Sequence, residues 1–245
     1  NEFDVVVMDY IENPNDWRRD QGKRPCSTEN LLRGIDPEKI KIVDHHLCHA
    51  YSTFMTSPFE DAAILIVDGR GSNQQTQSLF FGTKNSIELI EMTNTLGIGL
   101  LYAAMTQHIG FGILQEGKTM GLAPFGTGSD TSAYRFKGRF NGVDTDYSDV
   151  CYEESYLFKV DMPRAETFME QAAAAYAVQK ECERAMLHLA AYAKQMTSAK
   201  YLCISGGVGL NSVANHAVHA SGIFEDVFIN PAASDTGIPL GAAYY

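Results

Sequence analysis

Short apolar runs separated by glycine- and acid-bearing turns dominate the first hundred residues, and a long mixed apolar and polar stretch dominates the last eighty. Val5-Val6-Val7-Met8 reads as an opening strand, and the polar segment from Ile11 to Pro25 as a loop. Lys41-Ile42-Val43 is a short strand leading into Asp44-His45-His46-Leu47-Cys48-His49-Ala50, which continues as a helix. Ala62 to Val67 is a continuous apolar strand that stops at Asp68-Gly69-Arg70-Gly71. Gln77 to Thr83 and Ser86 to Met92 complete a meander of three strands. Leu100, Leu101, Ala104, Met105 and His108 recur at helical spacing between Gly97 and Gly110. Ser129 to Ser155 is polar and rich in Gly, Asp and Tyr, so a surface insertion is expected there. Arg164 to Thr197, rich in Ala, Glu, Lys and Met, predicts a long helix. Strand (Tyr201 to Ile204), glycine turn, helix (Asn211 to Ala220), strand (Asp226 to Ile229), turn and helix close the chain.

This order fits one ribonuclease-H-like lobe, the unit duplicated in actin and hexokinase. The pattern by itself supports an α/β fold, with a doubly wound Rossmann-type sheet as the alternative. The chain has 245 residues, 45% of them hydrophobic, enough for one large domain or two small lobes. A formal net charge of −11 repels polyanions and argues against nucleic acid as a main partner. Five cysteines, widely spaced and without a CxxC pair, read as reduced thiols of a cytoplasmic protein. No apolar run approaches the ~18 to 20 residues of a membrane span, and the start lacks a secretory leader. With no initiator Met and an apolar C-terminal segment, both ends read as cuts through a larger protein.

The chemistry sits on the turns. His45 and His49, four apart on a helix, project from one face and can reach one metal ion, while His46 points elsewhere. Asp44 is placed to cap that helix. Asp68-Gly69-Arg70-Gly71 sets a carboxylate at a strand end beside glycines that let backbone amides approach a phosphate. Ser205-Gly206-Gly207-Val208-Gly209-Leu210-Asn211 has the same logic but lacks a full GxGxxG and a Walker lysine. Asn230 to Gly237 is a third strand-to-helix turn, with Ser234 or Asp235 as its cap. Three such turns would converge on one sheet edge, where α/β proteins bind ligands.

Together with Glu116-Gly117-Lys118-Thr119-Met120-Gly121-Leu122-Ala123-Pro124-Phe125-Gly126, these motifs stand in the order of the NodU/CmcH O-carbamoyltransferases, which the chain resembles from about Leu31 onward. The resemblance implies an actin-like (ASKHA) fold. Residues 1–60 would be the C-terminal part of a truncated first lobe carrying the HxxxH helix. Residues 61–245 would be an essentially complete second lobe with an insertion at about 127–163. It implies metal-dependent transfer of a carbamoyl group from carbamoyl-adenylate, made from ATP and carbamoyl phosphate, to a hydroxyl of a small acceptor. His45, His49 and Asp235 would hold a divalent metal, iron, and His45, His49, Asp68 and Lys118 would serve catalysis. Asp68, Gly69 and Gly71 would lie by the phosphate, and Gly206, Gly207 and Asn211 would face the nucleoside. Departures are also present: Ser72-Asn73 replaces an acid after the Asp-Gly-x-Gly turn. Neither the family's first strand-turn-strand nor its YrdC-like adenylate-forming domain is matched, so the chain alone is expected to hold metal without forming the donor. A TsaD-like protein of tRNA threonylcarbamoylation and a non-catalytic nucleotide-binding module are the other readings; charge and the EGKTMGLAPFG stretch disfavour the first.

Overall fold

The computed structural model describes residues 5–10, 34–154 and 157–245. Ile11 to Pro25, expected as a loop, lies outside the described residues. The main sheet has five strands in the order β11-β10-β3-β4-β5. Its members are β3 (Asp61–Val67), β4 (Gln77–Thr83), β5 (Ile87–Thr93), β10 (Tyr201–Ser205) and β11 (Asp226–Ile229). β11, β10 and β3 run parallel, whereas β3, β4 and β5 form the expected antiparallel meander. Both faces of β3 are covered, so its apolar run is unbroken. Ala63, Leu65 and Val67 pack with Leu202, Ile204 and the long helix α4 (Phe168–Thr197), and Ala62, Ile64 and Ile66 pack with Ala50 and Phe54 of α1 (His45–Phe54). Full burial of each large aliphatic side chain contributes about 1.5–3 kcal/mol.

A second, parallel pair, β1 (Val6–Tyr10) and β2 (Ile40–Asp44), lies beyond α1. Val7, Val43, Leu47 and Cys48 join Ile238 and Ala242 of α6 (Ile238–Tyr244) in a smaller cluster. α1 is therefore packed between the main sheet and the β1–β2 layer, and residues on either side of position 60 share its contacts. Helix α4 starts with a capping box, Thr167 and Glu170 satisfying each other's backbone amides, and ends at Ser198 in the left-handed region, φ 53°. Helices α2 (Ile98–His108), α3 (Glu116–Leu122) and α5 (Ser212–Ala220) complete the α set.

The segment expected as a surface insertion is part of the core. It forms two hairpins, β6 (Arg139–Asn141) with β7 (Asp144–Asp146), and β8 (Cys151–Glu154) with β9 (Leu157–Val160). Tyr134, Val143, Tyr147, Cys151 and Val160 are buried against α2 and α4. The Tyr147 hydroxyl donates to Glu181 Oε1 at 2.8 Å, and the Thr145 hydroxyl accepts from Ile98 N–H at the start of α2. Few apolar residues bury deeply here, so the polar average concealed them. No helix among the described residues is long and apolar enough to cross a membrane.

Candidate metal centre

Two parallel pairs, β1–β2 and β3–β10, bring polar groups at their C-terminal ends to one cluster. Asp9 is the penultimate residue of β1, β2 runs directly into α1 at His45, Asp68 directly follows β3, and β10 ends at Ser205 before the Gly206-Gly207 turn. The turn after β11 adds Asp235. Asp44 caps α1, accepting from Leu47 N–H at 3.0 Å, which fixes the first turn bearing His45.

His45, His49, Asp68 and Asp235 each offer one ligand atom, all within 4.8 Å of one another. His45 Nε2 lies 3.1 Å from Asp68 Oδ2 and 3.5 Å from Asp235 Oδ1, and His49 Nε2 lies 3.4 and 3.6 Å from the same two oxygens. The tautomers follow from the other ring nitrogens. His45 Nδ1 is 2.7 Å from Asp9 Oδ2, and a carboxylate only accepts, so Nδ1 carries the proton. The Ser205 hydroxyl donates to Ala233 carbonyl, so its oxygen accepts from His49 Nδ1–H at 3.1 Å. With Nδ1 of each ring engaged, both Nε2 atoms point into the cluster, where His45 Nε2 is hydrogen-bonded to Asp68 Oδ2 at 3.1 Å. His49 Nε2 is fully buried and aligned for no hydrogen bond, although two carboxylate oxygens stand within 3.6 Å. Four such atoms gathered within 4.8 Å of one another can serve as a ligand set for one ion.

The electrostatics agree. Burial lowers the basicity of both imidazoles, yet the Asp235 and Asp68 carboxylates, which His45 meets by hydrogen bonding and His49 by close approach, outweigh it, raising His45 to about 11 and His49 above its ordinary value. Burial works to raise Asp68, but the two imidazoles hold its carboxyl well below the usual range, and His45 and His49 do the same for Asp235. The cluster strongly favours positive charge at its centre. Two imidazoles and two carboxylates suit a borderline divalent metal, and a single such cation would balance both carboxylates. Asp68 is nearly buried, whereas the Asp235 side chain is 64% exposed and forms the open side.

His46 turns away: its Nδ1 meets Ser78 Oγ at 2.7 Å, and burial lowers its pKa to about 3. Gly71 lies over this pair of histidines, where a Cβ would come 2.5 Å from His46 Cδ2 and 3.2 Å from His45 Cδ2. Gly69 N–H and Gly207 N–H both donate to Asp68 Oδ1, at 2.8 and 2.9 Å, locking that carboxylate. Gly206 needs its positive φ of 92° because a Cβ would run into the Val67 carbonyl. Asn211 caps α5 through Ala214 N–H and exchanges two hydrogen bonds with Gln179, leaving its side chain almost buried. Lys118 stays on the exposed side of α3, bonded to Gln115 Oε1 at 3.0 Å and 5.9 Å from the Phe111 ring centroid. Sequence reasoning placed Asp68 with the phosphate rather than among the ligands, and it missed Asp9 and Ser205. An acid or serine closing an apolar run at residues 9, 68 and 205 was the available signal.

Comparison with known proteins bears on this edge. The family described as Carbamoyltransferase N-terminus matches residues 13–244. Nodulation protein NolNO of Sinorhizobium fredii is 32% identical over 239 residues, which cover 89% of this chain and 34% of that protein. Nodulation protein NolO of Bradyrhizobium diazoefficiens is 29% identical over 212 residues, covering 82% and 37%. The chain thus spans about a third of the length of these relatives. Among solved structures, full-length HypF in a phosphate- and nucleotide-bound form superposes with a TM-score of 0.54 at 15% identity, over 99% of this chain and 46% of that one. HypF of T. kodakarensis gives 0.53 at 12% identity, over 98% and 40%. These likenesses show a shared mixed α/β fold, and the match along nearly the whole sequence shows that the chain belongs to the carbamoyltransferase family.

Proposed function

We propose that this chain is the metal-bearing, transferring part of an O-carbamoyltransferase, moving a carbamoyl group from carbamoyl-adenylate to a hydroxyl of a small acceptor. The donor would derive from ATP and carbamoyl phosphate. We read the five-stranded sheet and its helices as the second lobe of an actin-like fold, with residues 1–60 as the end of the first. One observation carries the reading: four ligand atoms within 4.8 Å, one of them the buried, unpartnered His49 Nε2, in a member of the carbamoyltransferase family.

His45, His49, Asp68 and Asp235 would hold a divalent metal such as Fe(II). When bound, such an ion supplies Lewis acidity that polarises the acyl oxygen. Asp9 and Ser205 hold the two imidazoles in the tautomer that leaves Nε2 free, and Gly69 and Gly207 keep one Asp68 oxygen occupied so that the other turns inward. The buried ligands exclude water on the sheet side and leave Asp235 facing the mouth. In the transfer, the acceptor oxygen bonds to the carbamoyl carbon and the bond from that carbon to the phosphate oxygen breaks. AMP leaves with the electron pair, and the hydroxyl proton passes to solvent.

Metal content of the purified chain, before and after anaerobic incubation with Fe(II), tests the centre. About one metal per chain is expected, with transfer to a hydroxyl acceptor when carbamoyl-adenylate is supplied. A chain that takes up no divalent metal would sink the proposal.

A further inference from the structure

The Asp68-Gly69-Arg70-Gly71 and Ser205-Gly206-Gly207 turns have the composition of phosphate cradles, but their glycine amides are committed elsewhere. Gly69 N–H and Gly207 N–H donate to Asp68 Oδ1, Gly71 N–H to Gln75 carbonyl at 2.7 Å, and Gly206 N–H to Ala233 carbonyl at 2.9 Å. A phosphate contact at these turns then has to come largely from a side chain.

Arg70 fills that need. It lies two residues beyond Asp68, and its guanidinium is fixed by the β8–β9 hairpin. Nη2 donates to Glu153 Oε2 at 2.6 Å, and the guanidinium carbon lies 4.7 Å from the centroid of the Phe158 ring. Glu153 and Phe158 face each other in the hairpin register, so one cross-strand pair grips the cation from two sides. Glu153 engages one edge of a planar group with five N–H donors, whose fork suits a phosphate. Nothing lies within 4 Å of where a Cβ of Gly69 would sit, so the turn is open beside it.

We infer that Arg70 is the cationic contact for the phosphate of the carbamoyl donor, with Glu153 and Phe158 as positioning residues. The inference rests on reading the cluster as a carbamoyl-transfer site. It gives the hairpin a role in substrate binding besides its packing.

Calorimetric titration of the full chain with ATP, carbamoyl phosphate and adenosine, with and without Fe(II), tests it. Arg70→Ala should weaken binding of the phosphate-bearing ligands roughly 10- to 100-fold, the range of a charge-assisted hydrogen bond, while adenosine affinity and metal content hold. Whether ATP, carbamoyl phosphate or both respond identifies the phosphate that Arg70 meets. Arg70→Lys should recover part of the loss. Glu153→Gln should give a smaller loss, and the double variant should bind no worse than Arg70→Ala. Unchanged phosphate affinity in Arg70→Ala, no phosphate binding by the wild type, or a parallel loss of adenosine binding and melting temperature would overturn the inference. Failure of the carbamoyl-transfer reading would look different: no metal uptake or no transfer, with Arg70-dependent phosphate binding intact.

Discussion

His46 and His49 are both fully buried on α1 and differ in what their Nε2 atoms meet. His49 Nε2 faces two carboxylates and His46 Nε2 lies beneath Gly71. Truncation should separate them. His49→Ala leaves three donors and should lose bound metal, since changes behind the ligands already cost ~10- to 100-fold in affinity. His46→Ala should keep the metal and cost about 1–3 kcal/mol in stability, read as a lower melting temperature. Metal analysis in which His46→Ala is empty and His49→Ala is loaded would reverse the assignment. The cysteines offer a second residue-scale expectation. Burial pushes the thiols of Cys48, Cys151 and Cys203 up to about 12, and that of Cys182 up as well. At about pH 8 a thiol of pKa about 12 is thiolate in roughly one molecule in 10⁴. Alkylation mapped by peptide mass should leave all four unmodified in the native chain and modify them in denaturant; rapid native labelling of Cys182 would contradict its burial. The i, i+4 spacing that brings His45 and His49 to one face was legible because both side chains stand on one helix. Asp68 as their partner was not, because that contact exists only once β2 and β3 end at the same edge.

Among the elements, the strands and helices that bury apolar side chains on a regular period were readable. β3 is continuous because helices cover both its faces, and α4 is alanine-rich over 30 residues with a capping box at its start. The segment from 129 to 155 was not readable, because its buried residues are isolated aromatics with polar anchors. Tyr147 is the clearest case: it is fully buried, and its hydroxyl reaches Glu181, which also receives two hydrogen bonds from Arg184. Tyr147→Phe should keep the packing but remove one donor from a buried carboxylate, costing about 1–3 kcal/mol. Chemical denaturation would register this as a lower midpoint with an unchanged slope. A variant as stable as the parent would return the hairpins to the status of a surface insertion.

The whole molecule is joined at the cluster. Asp9 orients His45 from the β1–β2 layer, His45 and His49 stand on α1, Asp68 ends a strand of the main sheet, and Asp235 leads into α6. A metal bound by these side chains would tie both sheets and the C-terminal helix to one point, so its removal should be felt as stability as well as chemistry. Ligand present at about 100 times its dissociation constant stabilises the native state by roughly 2.7 kcal/mol. Chelation should therefore lower the melting temperature, and Fe(II) should restore it in a concentration-dependent way. The loss should also be uneven. α4 is held by the large apolar cluster, whereas α1 and α6 meet across the small one, where Gly241 lies so close that a Cβ would strike the Cys48 carbonyl. Hydrogen exchange should rise on chelation in residues 45–54 and 230–244 and stay unchanged in 172–193. His49→Ala should already show the chelated pattern and gain nothing from added metal. Uniform exchange across the chain, or a melting temperature indifferent to chelation in metal-loaded wild type, would mean that the four side chains do not hold these layers together through an ion.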